Sequence, residues 1–254
     1  MVSTRDPVSR FPGPADTVTL THVDHADLVH GDRRRTITGN RQTSWAFAEA
    51  YGVDHVDTAA DAALSWAHSR AREAGLRPVS DGTGSALRLL AAATDAKAVV
   101  EIGTGTGVSG IHLLHGMRPD GVLTTVDVEP ERQQFARQAF RAAGFAGNRA
   151  RLIAGHSLDV LPRLADGAYD LVFCDADLQE TLEYLAESLR LLRAGGLVCF
   201  EGVFADGRTV DSAAQTADVL RVRELLRTVR DSEELLPTLL PVGDGLLCAI
   251  KRTR

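Results

Sequence analysis

The run Val-Val-Glu-Ile-Gly-Thr-Gly-Thr-Gly-Val-Ser-Gly, residues 99–110, constrains this chain more than any other stretch. Its apolar opening, from Ala98 to Ile102, reads as a buried parallel strand. Glycines follow at 103, 105 and 107, and a helix-compatible run begins near Val108. Glycines let a backbone turn sharply and approach a ligand that a Cβ would push away. The helix behind them offers unpaired N–H groups and the positive end of its dipole. Strand, turn and helix together make a ligand site at the end of a sheet.

Two ligand chemistries fit such a turn. Gly105 to Gly110 has the dinucleotide spacing G-x-G-x-x-G, and Asp127 lies 20 residues after Gly107, which is the NAD reading. Glu101 points elsewhere. A carboxylate at the strand's end repels a pyrophosphate but attracts a cationic head, and S-adenosylmethionine carries an ammonium and a sulfonium. A glycine turn with no ligand is the third possibility.

Composition narrows the class. The chain has 254 residues, 44% of them hydrophobic, enough to build the core of one domain with additions. A net charge of −6 gives no basic field for nucleic acid or an anionic membrane. No apolar run is long enough to span a bilayer, and the N-terminus has no secretory signal pattern, so a cytoplasmic protein is expected. Cys174, Cys199 and Cys248 sit in apolar runs and read as core residues of a reducing compartment. Only Lys97 and Lys251 are lysines, which nearly excludes a lysine base.

Residues 1–40 are polar and carry Pro7, Pro12 and Pro14; they read as an extended or disordered arm ahead of one domain over residues 41–254. His22, His25 and His30, like Arg33 to Arg35, read as solvated groups. Ser44 is placed to cap a helix to Tyr51, and Asp57 to cap a longer one from Thr58 to Ala74. Such helices lie outside the sheet. They pack against the main domain, cap an acceptor pocket or form a dimer surface. A loop over residues 78–84 leads into a helix ending near Thr94.

Strand and helix then alternate. The strands are expected at Ala96 to Ile102, Val122 to Val128, Ala150 to Ala154, Tyr169 to Cys174 and, after Gly195-Gly196, Leu197 to Val203. The helices between them span Glu131 to Ala143 behind Pro130, Ser157 to Leu164, and Gln179 to Leu192; a last one covers Ala213 to Arg230. Leu235 to Val242 and Leu246 to Lys251, joined by Gly243-Asp244-Gly245, read as a hairpin. The pattern is α/β, a mostly parallel sheet with helices on both faces.

In such sheets the ligand lies beyond the carboxyl ends of the strands. Those ends carry Glu101, Asp127, the Asp175-Ala176-Asp177 run and Glu201; the third strand ends instead at Gly155-His156-Ser157. Stability alone gives no reason to gather acids there. A cationic ligand or a metal does.

From Thr43 to Lys251 the chain resembles the class I S-adenosylmethionine-dependent O-methyltransferases of the catechol and caffeoyl-coenzyme A type. The resemblance rests on Val-Glu-Ile-Gly-Thr-Gly-Thr-Gly-Val-Ser, Leu-Thr-Thr-Val-Asp-Val-Glu-Pro and Tyr-Asp-Leu-Val-Phe-Cys-Asp-Ala-Asp, in that order. Leu-Leu-Arg-Ala-Gly-Gly-Leu-Val and Leu-Pro-Val-Gly-Asp-Gly-Leu complete the set. It implies a Rossmann-like seven-stranded sheet in the order 3-2-1-4-5-7-6 with the seventh strand antiparallel. It also implies a small hydroxylated acceptor and a homodimer. Glu101, Gly103, Thr104 and Ser109 would hold the methionine portion, and Gly105 would also bind the cofactor. Asp127 would take the ribose hydroxyls, with Val128 against the adenine and Ser157 at its edge. Val79 would line the cofactor, and Asp175 and Asp177 would face the cofactor amine and the acceptor. For Ser109 and Ser157 helix capping is the alternative, and for Val79 and Val128 ordinary packing.

The departures matter as much. Catechol-methylating members hold a divalent metal with an Asp after strand 4 and an Asp-Asn pair after strand 5. Here Asp175 fills the first place, but Glu201 and Gly202 fill the others, and glycine has no side-chain oxygen. The family's lysine after Asp-x-Asp is Leu178. A divalent metal is therefore not expected, and the proton of the acceptor must go to another base. Asp175, Asp177, Glu201 and His156 are the candidates by position. His112 and His115 read as surface groups of the helix behind the glycine turn. The other class the broken metal set allows is a protein that binds S-adenosylmethionine for interaction or sensing without turnover.

Overall fold

Each strand of the central sheet sends alternate side chains to opposite faces, and this divides the apolar residues into two cores. In β1 (Ala98–Ile102), Val99 packs on one side with Leu123, Leu171 and Phe173, while Val100 and Ile102 pack on the other with Val172 and Phe200. The structure, a computed structural model, describes residues 41–52 and 58–253. The expected arm over residues 1–40 and the expected cap at Asp57 lie outside the described residues. The chain divides into units of residues 1–48 and 49–254; the first contributes the beginning of α1 (Arg41–Tyr51), and the rest of this section describes the second.

The sheet has seven strands in the order β3-β2-β1-β4-β5-β7-β6. β2 (Val122–Asp127), β3 (Ala150–Ala154), β4 (Tyr169–Cys174) and β5 (Leu192–Phe200) join β1 in parallel pairs. β7 (Leu246–Lys251) runs antiparallel between β5 and β6 (Leu235–Leu240). Helices α2 (Thr58–Glu73), α3 (Asp81–Ala93), α4 (Val108–Gly116) and α5 (Pro130–Ala142) cover the Val99 face. Helices α7 (Thr181–Leu191) and α8 (Ala217–Asp231) cover the other, and the short α6 (Ser157–Val160) follows β3. The three thiols are free and buried in the strands, as expected. Among the described residues no helix is long and apolar enough to cross a membrane.

Several boundaries differ from the sequence reading. Ser44 lies inside α1, not at its cap. β5 begins at Leu192, because Gly195, at φ 75°, bulges within the strand instead of preceding it; the register jumps from Tyr169↔Leu192 to Leu171↔Leu197. The helix expected from Gln179 opens as a 3-10 turn, Leu178–Glu180. α8 starts at Ala217 because Thr216 is extended, leaving residues 201–216 as an irregular loop. His112 is buried, not on a helix surface: α4 is enclosed along Val108 to Leu114, and the ring packs where a Cβ on Gly84 would lie. Burial, with Arg88 nearby, drives the His112 pKa down to about 3.

Candidate functional site

The glycine turn is built for close approach. Gly103 holds φ 96°, and a Cβ there would stand 2.0 Å from the carbonyl oxygen of Asp175. Gly107, at φ 94°, forms the N-cap of α4, and a Cβ would press on Ala136 and Phe140 at 3.0 Å. Thr106 Oγ1 donates to Ala67 O at 2.9 Å, which docks α2 on the turn.

Glu101 lies beneath this turn, fully buried, and is not on the cavity wall. Ser109 Oγ donates to its Oε1 and Thr125 Oγ1 to its Oε2, each at 2.6 Å. Thr104 Oγ1 meets Thr125 Oγ1 at 2.7 Å, and Gln133 Nε2 donates to Ile153 O at 2.7 Å. Burial pushes the Glu101 carboxyl up to about 7, against these two hydroxyl donors. Ser109 is thus a tether for Glu101, and no side chain caps α4.

Above the turn lies a cavity of about 480 Å³, in the range of small-ligand sites. Its wall includes Val79, Gly103, Thr104, Gly105, Ser109, Asp127, Val128, His156, Ser157, Asp175 and Asp177. Asp127 is 5% exposed and accepts from the backbone N–H groups of Gly105 and Glu129, both at 2.9 Å. Val128 follows β2 and is exposed. Ser157 is the first residue of α6, and the N-cap before it, His156, makes no side-chain capping bond. His156 Nε2 stands 3.2 Å from Glu180, whose other oxygen accepts from the Tyr184 hydroxyl. Asp177 Oδ1 accepts from Gln179 N at 2.9 Å and caps the 3-10 turn.

The far end of the site is less settled. Asp175 is on the wall, and burial pushes its carboxyl up to about 6. Glu201 is not on the wall. Its extra methylene carries it to the start of α3, where Thr83 Oγ1 donates to Oε1 at 3.2 Å. Oε2 is buried with no hydrogen-bond partner. Burial first, then the charge of Asp175, raises its pKa to about 8. Ser80 caps α3 through Thr83 N at 3.1 Å, and Glu49 accepts from Gly82 N and Gly243 N at 2.8 and 2.7 Å.

This donor set does not fit a magnesium or calcium ion. Among the described residues no three His, Cys, Asp or Glu side chains converge for a metal. Gly202 supplies no side-chain oxygen, and one oxygen of Glu201 is already engaged by Thr83.

Sequence reasoning missed Thr125, Thr83, Glu49, Glu180, Tyr184 and Arg77. Thr125 carried a weak signal, as a polar residue inside an apolar strand. The others sit on segments whose packing the sequence pattern does not define.

Fold and cavity together define a Rossmann-like α/β protein whose ligand site lies beyond the carboxyl ends of its parallel strands. The chain belongs to the O-methyltransferase family, whose profile matches residues 68–252. A protein of Mycobacterium sp. (strain KMS), named a candidate O-methyltransferase, is 50% identical over 191 residues, 75% of this chain and 87% of its own length. One from Mycobacterium tuberculosis, named likewise, is 46% identical over 210 residues, 83% of this chain and 91% of its own. Among solved structures, the O-methyltransferase involved in tomaymycin synthesis in Streptomyces achromogenes, in complex with S-adenosylmethionine, is similar at a TM-score of 0.75 and 29% identity. It aligns with 85% of this chain and 100% of that one. Methyl transfer, not the hydride transfer of an NAD enzyme, is the chemistry of this family.

Proposed function

We propose that this protein transfers the methyl group of S-adenosylmethionine to a hydroxyl of a small molecule, and does so without magnesium. The observation that carries this reading is Asp175: a partly buried carboxylate, raised to about 6, on the wall of a cavity built over a glycine turn, where among the described residues no three His, Cys, Asp or Glu side chains converge. When bound, S-adenosylmethionine supplies an electrophilic methyl group on a sulfonium. The Gly103 to Gly105 backbone and Ser109 receive the methionine portion, and Asp127 receives the ribose hydroxyls. Val128 and Ser157 line the nucleoside, and Val79 also lines the cofactor.

Asp175 accepts the proton that the acceptor hydroxyl loses. With a pKa of about 6 it is mostly ionised at neutral pH and still a useful base. Glu201, at about 8, stays mostly protonated there, so the pair does not carry two adjacent negative charges. His156 is tied to Glu180 beside Ser157, and Asp177 is spent on its cap, which leaves Asp175 the favoured base among the four candidates.

The same reading has residues 41–254 as the catalytic domain, in the cytoplasm, with residues 1–40 as an arm. Leu236 and Ile250, exposed cross-strand neighbours of β6 and β7, favour a homodimer, which sedimentation velocity tests. Incubation with labelled S-adenosylmethionine and a panel of phenols, catechols and hydroxylated natural products tests the reaction. Label should appear in an acceptor. Tight binding of S-adenosylhomocysteine with no transfer to any acceptor would instead make the protein a non-catalytic cofactor binder.

A further inference from the structure

Two arginines line the cavity, Arg77 and Arg132. Arg132 stands 3.7 Å from Asp127. Arg77 lies between α2 and α3, next to Pro78 and Val79, and its planar fork holds a carboxylate: Nη1 to Asp206 Oδ1 at 2.8 Å and Nη2 to Oδ2 at 3.2 Å. This is the two-point geometry with which arginine recognises carboxylates. The pair is solvent-exposed, 83% at Arg77 and 54% at Asp206, so water and ions screen it and an incoming carboxylate can replace it.

The segment that presents Asp206 is unusual. It belongs to the irregular loop over residues 201–216, longer than most connections in a compact domain. Ala205 and Asp206 hold φ of 49° and 55°, a left-handed conformation that alanine adopts only at a cost. What fixes them is the β6–β7 turn. Asp244 O accepts from Phe204 N at 2.8 Å, and both Asp244 carboxylate oxygens accept from Asp206 N, at 3.0 and 2.9 Å. Asp206 is thus aimed at Arg77 by a strained backbone. Arg208, which also faces Asp206, is held by Asp218 at 2.9 Å and remains as a counter-charge if Arg77 lets go.

The geometry points to Arg77 as the recognition residue for a carboxylate carried by the hydroxylated acceptor, with Asp206 filling its fork until that acceptor arrives. This rests on the methyl-transfer reading above and adds the substrate class: hydroxylated acids rather than their neutral analogues. Exchange of one carboxylate for another leaves the arginine paired throughout.

The test uses the full chain loaded with S-adenosylhomocysteine and the matched probes protocatechuate and gallate against their methyl esters. Phenylglyoxal modification of Arg77, read by mass spectrometry, should be slowed by the acids and not by the esters. Asp206→Asn should raise the unprotected rate and strengthen protection by the acids. In the transfer assay the acids should show a KM roughly tenfold below that of their esters, and Arg77→Gln should erase that ratio. Equal protection by acid and ester, or none by either acid, overturns the proposal. Protection by acids without any methyl transfer would keep Arg77 as a carboxylate site and overturn the methyl-transfer reading instead.

Discussion

The two ends of the cavity are built differently. Around the glycine turn every carboxylate is paired: Glu101 with Ser109 and Thr125, Asp127 with two backbone N–H groups. Beyond β4 and β5, Glu201 keeps one oxygen without a partner, the Asp175 carboxyl is raised to about 6 by partial burial, and an irregular loop with two left-handed non-glycine residues follows. The first end is preorganised for one unchanging ligand. The second carries the polar groups whose needs a substrate would complete.

If that division is right, changes at the two ends fail in different ways. The largest effect is expected at Gly103. Gly103→Val places a side chain 2.0 Å from the Asp175 carbonyl on a left-handed backbone, so stability should fall by roughly 3 kcal/mol or more. Denaturant unfolding and titration with S-adenosylhomocysteine should both register the loss. Next comes Asp175→Asn, which should leave cofactor affinity largely intact while lowering kcat on the order of a hundredfold or more. In the parent, kcat/KM should rise with pH through about 6, the pKa of Asp175, and the variant should lack that limb. A large drop in cofactor affinity with unchanged kcat would erase the distinction between the ends. Asp127→Ala should do the converse, weakening cofactor binding by about 1–3 kcal/mol through loss of a charged acceptor.

The smallest and most specific effect is at Glu201. Its folded pKa of about 8 lies above the ordinary 4.5, so between those values the folded state binds more protons than the unfolded. Stability contributed by the protonated form is present below about pH 4.5 and is lost as pH rises through 8. Glu201→Gln should flatten this decline and raise stability at pH 8 and above by roughly 1–3 kcal/mol. Thermal unfolding of the unliganded protein across pH 5 to 9 checks it; parallel curves for parent and variant would show that Glu201 is not desolvated.

Much of the first end was legible in the sequence and little of the second. Ala98 to Ile102 followed by spaced glycines announces strand, turn and helix, and the acids at the strand ends mark the ligand face. The closing Gly-Asp-Gly between two apolar runs announces the antiparallel hairpin. What periodicity does not encode is where a long side chain reaches. Glu201 and Asp differ by one methylene, yet that length brings Glu201 to Thr83, 118 positions away in the chain. His112 departs from expectation for a related reason: a surface position presupposes an amphipathic helix, and α4 is buried on nearly every side. The link between Arg77 and Asp206 spans 129 positions and depends on a backbone conformation that no residue type in Ala205-Asp206 signals.

Methyl transfer at the Asp175 end should need no metal. The direct measurement is the initial rate of methyl transfer to a responsive acceptor, first in excess EDTA and then with magnesium restored. The rate should be the same in both, with new magnesium affinity only in the double variant Glu201→Asp with Gly202→Asn. Activity abolished by the chelator and restored by magnesium would contradict it, and would mean that Asp175 and Glu201 form a working metal site.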